Sequence, residues 1–400
     1  MSRGWVHCRI GSFALEANWS IEPGEVLVLF GPSGAGKTST LRAIAGLLRP
    51  QRGHIEIGGR VVYDSDSGLS LPVHRRRVGY LTQRYNLFPH LNVAKNIAYG
   101  LRGWTSAAAG ERVQELIEVL RLDGMEQRRP WELSGGQQQR VALGRALAPN
   151  PEILLLDEPF ASLDMELRRI FRRELRSTLA KSKVPVLLVT HEREEALALA
   201  DSIQVIDEGR PLAQGSPLDV LGQPGQERVA NLVGVENLFT LTIESRNPHD
   251  GTMVCVGGGL RIEVPLDASL PNTGAAGIPK QDSSLPSIGP AGVHEALAGG
   301  SGRVTVGIRS SDIILSHQDI LGSTARNRLR GVVTSVELMP PGYQVTLDCG
   351  QPLRCQITGA ALDEMSIRPG LDLWAVFKAS SCFLVQDASP QEIQGLTDIK

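Results

Sequence analysis

A glycine-rich segment, GPSGAGKT, occupies residues 31–38 and directly follows the apolar run 26–30. Its spacing is that of the P-loop, G-x-x-x-x-G-K-[ST], and the pattern that follows, at 39–48, is helical. The apolar run is typical of a buried parallel strand because no position in it is polar. In this context the glycines let backbone N–H groups converge on phosphate oxygens, and the helix N-terminus favours negative charge. The segment predicts an α/β fold with a site for nucleotide phosphates.

Two side chains of this loop indicate how a nucleoside triphosphate is held. We expect Lys37 to reach the β- and γ-phosphates and the Thr38 hydroxyl to bind Mg²⁺. The candidate nucleotide-binding residues are Gly31, Pro32, Ser33, Gly34, Ala35, Gly36, Lys37, Thr38 and Ser39.

A second apolar run, 153–156, ends in two carboxylates, Asp157 and Glu158. We expect Asp157 to hold Mg²⁺ through water, and Glu158 to orient and deprotonate an attacking water. An acidic pair at a strand end is a weak signal by itself, because such residues also cap turns. Together with a P-loop it predicts hydrolysis of the nucleotide. A further apolar run at 184–189, a strand-like run at 78–81 and the helical pattern at 165–182 extend the α/β alternation.

A five-residue segment, LSGGQ at 133–137, lies between these motifs, and we call it the signature. The order of motifs along the chain is P-loop, Gln83, LSGGQ, Asp157 with Glu158, ASLD at 161–164, and His191. This order resembles the ATPase subunits of ABC transporters over residues 1–222. The resemblance implies ATP and Mg²⁺ as cofactors and a head-to-tail homodimer that encloses two ATP molecules between its subunits.

The resemblance also assigns roles to single residues. Ser134, Gly135, Gly136 and Gln137 are expected to bind the γ-phosphate of ATP held by the partner subunit, as N–H groups at a helix start do for anions. Asp164 is expected at the dimer seam. Gln83 is expected to contact Mg²⁺ and the attacking water, and His191 to donate to the γ-phosphate, which makes both catalytic partners of Glu158. The aromatic residue that stacks on adenine in many relatives has only Phe13 or Trp5 as candidates, and Phe13 is the choice.

The spacing of the motifs separates classes within this family. The interval 84–150 has helical patterns and no strong strand pattern, which predicts a small helical subdomain. It is too short for the long coiled coil of repair-type relatives. Translation-type relatives carry two cassettes, whereas this chain carries one. An importer subunit is therefore favoured over a soluble ABC ATPase that serves repair or translation.

From about residue 235 the sequence pattern changes to short runs rich in β-forming residues, such as 252–256 and 343–347. We predict an ATPase domain at 1–234, the first part of a regulatory OB-like β domain at 235–322, and a final β segment at 323–387. Residues 271–302 are rich in Gly, Pro, Ser and Ala and predict a flexible insert. The segments ARNRLRGV at 325–332, RPG at 368–370 and VFKAS at 376–380 resemble a Mop domain, a small molybdate-binding barrel.

The Mop resemblance implies an oxyanion site and a cargo. Arg326, Asn327, Lys378 and Ser380 are candidate donors to a tetrahedral dianion, for which cations, amides and hydroxyls are suitable. The alternative is that they only form the fold. Molybdate is the expected cargo, with tungstate, sulfate and ferric ion as alternatives.

Composition limits the partners and the location. A formal net charge of −2 offers no electrostatic basis for nucleic-acid binding. No apolar run is long enough to cross a bilayer, and the N-terminal segment does not resemble a signal peptide. Five scattered cysteines without a CxxC pair argue against a disulfide framework or a zinc site and favour a reducing cytoplasm. We expect a peripheral protein on the cytoplasmic face of a bacterial membrane, bound to a separate permease and served indirectly by an extracytoplasmic binding protein.

Overall fold

A computed structural model describes residues 1–101, 103–161, 165–267, 302–340 and 342–385. The chain divides into two compact units between residues 222 and 223. The division falls before the predicted boundary at 234, so that residues 223–234 are grouped with the second unit. The predicted flexible insert, apart from its last residue, lies outside the described part of the chain.

The first unit contains strands and helices in alternation. In chain order they are β1 (Ser2–Ile10), β2 (Phe13–Ile21), β3 (Val26–Phe30), α1 (Lys37–Ala45), β4 (Arg52–Ile57), β5 (Arg60–Asp64), β6 (Leu69–Ser70), β7 (Val78–Leu81), α2 (Val93–Ala98), α3 (Ser106–Val119), α4 (Gly135–Leu147), β8 (Ile153–Asp157), α5 (Met165–Ser182), β9 (Val186–Thr190), α6 (Arg193–Leu199), β10 (Ser202–Asp207) and β11 (Arg210–Gly215).

A six-stranded sheet with the order β11-β10-β3-β9-β8-β7 forms the centre of this unit. All neighbours in it are parallel except β10 and β11. Every residue of β3, β8 and β9 is buried, which explains why these strands are apolar at nearly every position. The predicted α/β fold is confirmed. Because the strands are parallel, the loops that leave β3, β7, β8 and β9 lie at the same edge of the sheet.

The other parts of this unit cover the sheet and extend it. An antiparallel sheet with the order β2-β1-β4-β5-β6 shares a hydrophobic core with α1 and the central strands. The interval 84–150 contains α2, α3 and α4. Side chains cap each of these helices: Asn92 and Thr105 accept a main-chain N–H at α2 and α3, as Ser134 does at α4.

The second unit is mostly β-structure. Its elements are α7 (Glu227–Leu232), β12 (Asn237–Asn247), β13 (Thr252–Gly257), β14 (Leu260–Pro265), β15 (Arg303–Ile308), β16 (Ile314–Ser316), β17 (Asn327–Met339), β18 (Gly342–Asp348), β19 (Pro352–Ile357), α8 (Gly359–Glu364), β20 (Asp372–Phe377) and β21 (Cys382–Val385).

Two five-stranded sheets of this unit, β14-β13-β12-β15-β21 and β16-β20-β17-β18-β19, enclose a single core. The sheets exchange strands: β21 pairs with β15, and β16 pairs with β20. The described residues of the segments 235–322 and 323–387 therefore fold together around shared apolar side chains. Within the described ranges, no helix is both long and apolar enough to cross a membrane.

Candidate nucleotide-hydrolysis site

The P-loop turns from β3 into α1 through glycines in left-handed conformations. Gly34 has φ 85° and Gly36 has φ 102°, values that an L side chain rarely adopts. A Cβ atom at Gly36 would also lie 2.7 Å from Leu15 Cδ1, whereas one at Gly34 would meet no atom within 4 Å. The backbone conformation requires glycine at both positions, and packing requires it at Gly36 as well.

Lys37, the first residue of α1, extends its side chain back into the loop. Its Nζ donates to the carbonyl oxygens of Gly31 at 2.7 Å and Pro32 at 2.8 Å. The residue is only 4% exposed. Burial lowers the pKa of the ammonium, while the carboxylates of Glu158 and Asp157 act in the opposite direction. A buried cation is thus held beside two carboxylates at the centre of the loop.

Asp157, the last residue of β8, receives a hydrogen bond on each carboxylate oxygen. Thr38 Oγ1 donates to Oδ1 at 2.8 Å, and the Tyr80 hydroxyl donates to Oδ2 at 3.2 Å. Burial raises the pKa of Asp157, and these two hydrogen bonds lower it. Thr38 and Asp157 therefore bring two hard oxygen groups together, the type of ligand that Mg²⁺ prefers.

Glu158 has its carboxylate held from both sides. Gln83 Nε2 donates to Oε2 at 3.0 Å, and His191 Nδ1 lies 3.1 Å from Oε1. Its backbone has φ 45°, and its N–H donates to the Val189 carbonyl at 3.0 Å. The site thus collects Gln83, Glu158 and His191 from the loops after β7, β8 and β9. Such a carboxylate can orient a water molecule and accept its proton.

The LSGGQ segment begins α4. The Ser134 side chain accepts from the Gln137 N–H, and the Gln137 side chain accepts from the Ser134 N–H at 2.9 Å. Ser134 and Gly135 are exposed, and a Cβ atom at Gly136 would meet no atom within 4 Å. The hydrogen bonds of this segment stay within its own turn, which leaves an open helix N-terminus of the type that binds anions.

Comparison with known proteins identifies this set of motifs. A family model described as "ABC transporter" matches residues 15–161, and one described as "TOBE domain" matches residues 323–384. A molybdate/tungstate import ATP-binding protein of Pyrococcus horikoshii is 34% identical over 369 residues, which cover 92% of this chain and 94% of the relative. The chain belongs to the ABC transporter family of ATP-binding proteins.

Two further similarities are more limited. A sulfate/thiosulfate import ATP-binding protein of Xylella fastidiosa is 45% identical over 223 residues, which cover 54% of this chain and 62% of the relative. A subunit of the ABC transporter complex cbiONQ from Clostridium perfringens has a TM-score of 0.50 at 24% identity, and covers 58% of this chain and 94% of that chain. This structural similarity supports the ABC ATPase fold of the first unit.

Two predicted residues of this ABC protein need separate comment. Asp164 lies outside the described residues. The Phe13 ring lies close to the P-loop, since a Cβ atom at Gly36 would be 3.3 Å from its Cζ. Phe13 also packs, partly buried, against the core of the first unit. Its stacking on adenine stays a prediction.

The sequence did not reveal two residues that donate hydrogen bonds to the segment 157–159. Tyr80 donates to Asp157, and the fully buried Gln139 of α4 donates from Nε2 to the Pro159 carbonyl, one residue beyond Glu158. Tyr80 lies in the predicted strand beside the one that ends in Asp157. Gln139 follows the signature by two residues. Proximity to a motif was the only sequence signal for either residue.

The four proposed oxyanion donors lie in different surroundings. Asn327 is 2% exposed, and its amide is used by Glu263: Oδ1 accepts from the main-chain N–H at 2.7 Å and Nδ2 donates to the carbonyl at 2.8 Å. Arg326 pairs with the Glu263 carboxylate at 3.4 Å. Lys378 and Ser380 are exposed. Asn327 thus connects β17 to β14, and a carboxylate lies beside Arg326, which is unfavourable for binding an anion there.

Proposed function

We propose that this ABC protein hydrolyses MgATP to energise import of molybdate through a separate membrane permease. The observation that carries the proposal is the Glu158 carboxylate held between Gln83 and His191, next to the Thr38–Asp157 pair. In this proposal Glu158 accepts a proton from the attacking water. Gln83 fixes one carboxylate oxygen, and His191 fixes the other; donation from His191 to the γ-phosphate stays a prediction.

Mg²⁺ suits the oxygen groups at this site. Thr38 Oγ1 and the Asp157 carboxylate are the residues that would hold it, with Gln83 as a further contact, and one or two protein oxygens plus phosphates are usual for this ion. When bound, Mg²⁺ supplies charge neutralisation at the β- and γ-phosphates. The chain's own contribution is to orient these oxygens and to keep the Lys37 ammonium among them.

The signature of one subunit is proposed to complete the ATP site of another. Ser134, Gly135 and Gly136 begin an open helix N-terminus whose internal hydrogen bonds stay within its own turn. Such N–H groups bind a phosphate well. A head-to-tail homodimer would bring this N-terminus to the γ-phosphate held by the partner's P-loop. We propose that this dimer binds a permease and is peripheral to the cytoplasmic face of the membrane.

Molybdate is supported as cargo by the extent of the similarity. The molybdate/tungstate relative matches across both units, whereas the sulfate/thiosulfate relative has higher identity but matches little more than half of this chain. The cassette is the part that differs least between cargo types, because its chemistry is ATP hydrolysis. Similarity over the second unit is therefore more informative about the cargo than similarity over the cassette. Tungstate is the nearest alternative. An oxyanion site in that unit would rest on Lys378 and Ser380, with Asn327 as a structural residue.

Uptake of metals in cells tests this function. A strain that lacks the gene should accumulate less molybdenum from submicromolar molybdate, measured by elemental mass spectrometry, and the wild-type gene should restore accumulation. A Glu158→Gln gene should not restore it. Normal molybdenum uptake in the deletion strain, together with loss of sulfate or iron uptake, would assign the protein to another cargo.

A further inference from the structure

The Asp157 carboxylate has a separate side-chain donor on each oxygen. Thr38 Oγ1 lies 2.8 Å from Oδ1, and the Tyr80 hydroxyl lies 3.2 Å from Oδ2. Asp157 itself is 6% exposed, so solvent has little access to either oxygen. A carboxylate fastened on both oxygens cannot rotate about its Cβ–Cγ bond without breaking a hydrogen bond.

Backbone pairing positions Tyr80 for this contact. Strands β7 and β8 are parallel, with Tyr80 opposite Leu155 and Leu81 opposite Leu156. The phenol therefore starts two residues before Asp157 in the neighbouring strand and reaches forward to its carboxylate. An ionised carboxylate can only accept, so the Tyr80 hydroxyl is the donor of this hydrogen bond.

Helix α1 approaches the same group from the other side. Thr38 lies in the first turn of α1 and donates to Asp157. Side chains of α1 and β7 thus act together on Asp157.

We propose that Tyr80 is a positioning residue for the metal site: its hydroxyl occupies Oδ2 of Asp157 and thereby fixes the carboxylate that, together with Thr38, would hold Mg²⁺. This inference rests on the proposed MgATP function. Partners that orient a metal ligand change metal affinity when removed, commonly by 10- to 100-fold. The Tyr80 ring fills the same space as a phenylalanine ring, so that Tyr80→Phe removes the hydroxyl and its hydrogen bond to Asp157 and keeps the ring.

Manganese binding followed by electron paramagnetic resonance tests the proposal, because Mn²⁺ accepts the same oxygen ligands as Mg²⁺. The protein is titrated with Mn²⁺ in the presence of saturating ADP, and ADP affinity is measured separately with EDTA. Tyr80→Phe should weaken Mn²⁺ binding by about tenfold, and ADP affinity in EDTA should stay at the wild-type value. Tyr63→Phe is the matched control, since its buried hydroxyl donates to the Pro50 carbonyl at 2.7 Å and this partner is not one of the site residues.

Each outcome decides between the proposals. Weaker Mn²⁺ binding in Tyr80→Phe alone supports the positioning role. Wild-type Mn²⁺ affinity in Tyr80→Phe overturns it and leaves the MgATP function intact. Equal losses in Tyr80→Phe and Tyr63→Phe, or a matching loss of ADP affinity in EDTA, also overturn it, because the effect would then be a general loss of structure. Absence of ADP-dependent Mn²⁺ binding in the wild-type protein would instead contradict the proposed metal-dependent function.

Discussion

At the scale of single residues, the proposed chemistry depends on how Glu158 is held. Its carboxylate lies between Gln83 and His191, and its left-handed backbone places it just beyond the buried strand. A non-glycine residue in this conformation costs free energy, which the surrounding structure must offset. The hydrogen bond from its N–H to the Val189 carbonyl contributes to that offset.

Replacing Glu158 with Gln should lower ATP turnover by about 10²-fold or more, because the amide keeps the shape of the side chain but cannot accept the proton. ATP binding, measured by equilibrium dialysis, should be retained. Glu152→Gln is a suitable control, since Glu152 is a partly buried carboxylate that pairs with Arg77 at 2.8 Å and is not one of the site residues. Turnover of Glu158→Gln near that of the control would remove Glu158 as the general base.

Motifs revealed most of this site from the sequence, and tertiary contacts account for the two residues that were missed. Lys37, Asp157 and Glu158 belong to patterns whose spacing has a chemical reason. The contact of Tyr80 with Asp157 depends on β7 and β8 being neighbours, and a sequence does not state which strands pair. Asn327 was interpreted as an anion donor because amides suit anions, but its amide binds the main chain of β14 instead.

At the scale of elements, the P-loop helix α1 is fixed at both ends. Its first turn contacts the site through Lys37 and Thr38. Beyond its last turn lies Arg76, 2% exposed, whose Nη1 donates to the carbonyls of Ala43 at 3.0 Å and Ile44 at 2.9 Å. Its Nε donates to the Leu71 carbonyl at 2.9 Å. A cation that satisfies the last carbonyls of a helix also complements the helix dipole.

Arg76→Met should lower the free energy of unfolding by about 2–4 kcal/mol, because it removes three hydrogen bonds from a buried guanidinium to main-chain carbonyls. Replacing a buried ion pair by apolar residues is sometimes neutral, but here the partners are backbone carbonyls that would remain in place. Urea denaturation measures the change, with Arg75→Met, an exposed neighbour, as control. A loss no greater than that of Arg75→Met would show that this guanidinium does not stabilise α1.

Element boundaries followed from the sequence where patterns were long and regular. The predicted helix at 165–182 and strand at 78–81 agree with α5 and β7. In the second unit, the individual strands 252–256 and 343–347 were found within one residue of their observed ends. Their arrangement was not, because the exchange of β16 and β21 between two sheets joins strands that are distant along the chain.

At the scale of the whole molecule, the proposed ATP site requires a second copy of the chain. The P-loop, Asp157 and Glu158 form one site, while the LSGGQ segment begins a different helix and keeps its hydrogen bonds within its own turn. The central claim is that ATP is bound by the P-loop of one subunit and the signature of the other. Two variants that each damage one half of this composite site can test it.

Lys37→Ala removes the cation of the P-loop, and Ser134→Arg blocks the signature. Each variant alone forms dimers without an intact composite site, whereas a dimer of one copy of each has one intact site. Both changes are made in a Glu158→Gln background, so that bound ATP is not hydrolysed. ATP retained on the dimer after gel filtration should be clearly higher for the mixture than for either variant alone. Equal retention by the mixture and its two parents would contradict the shared site.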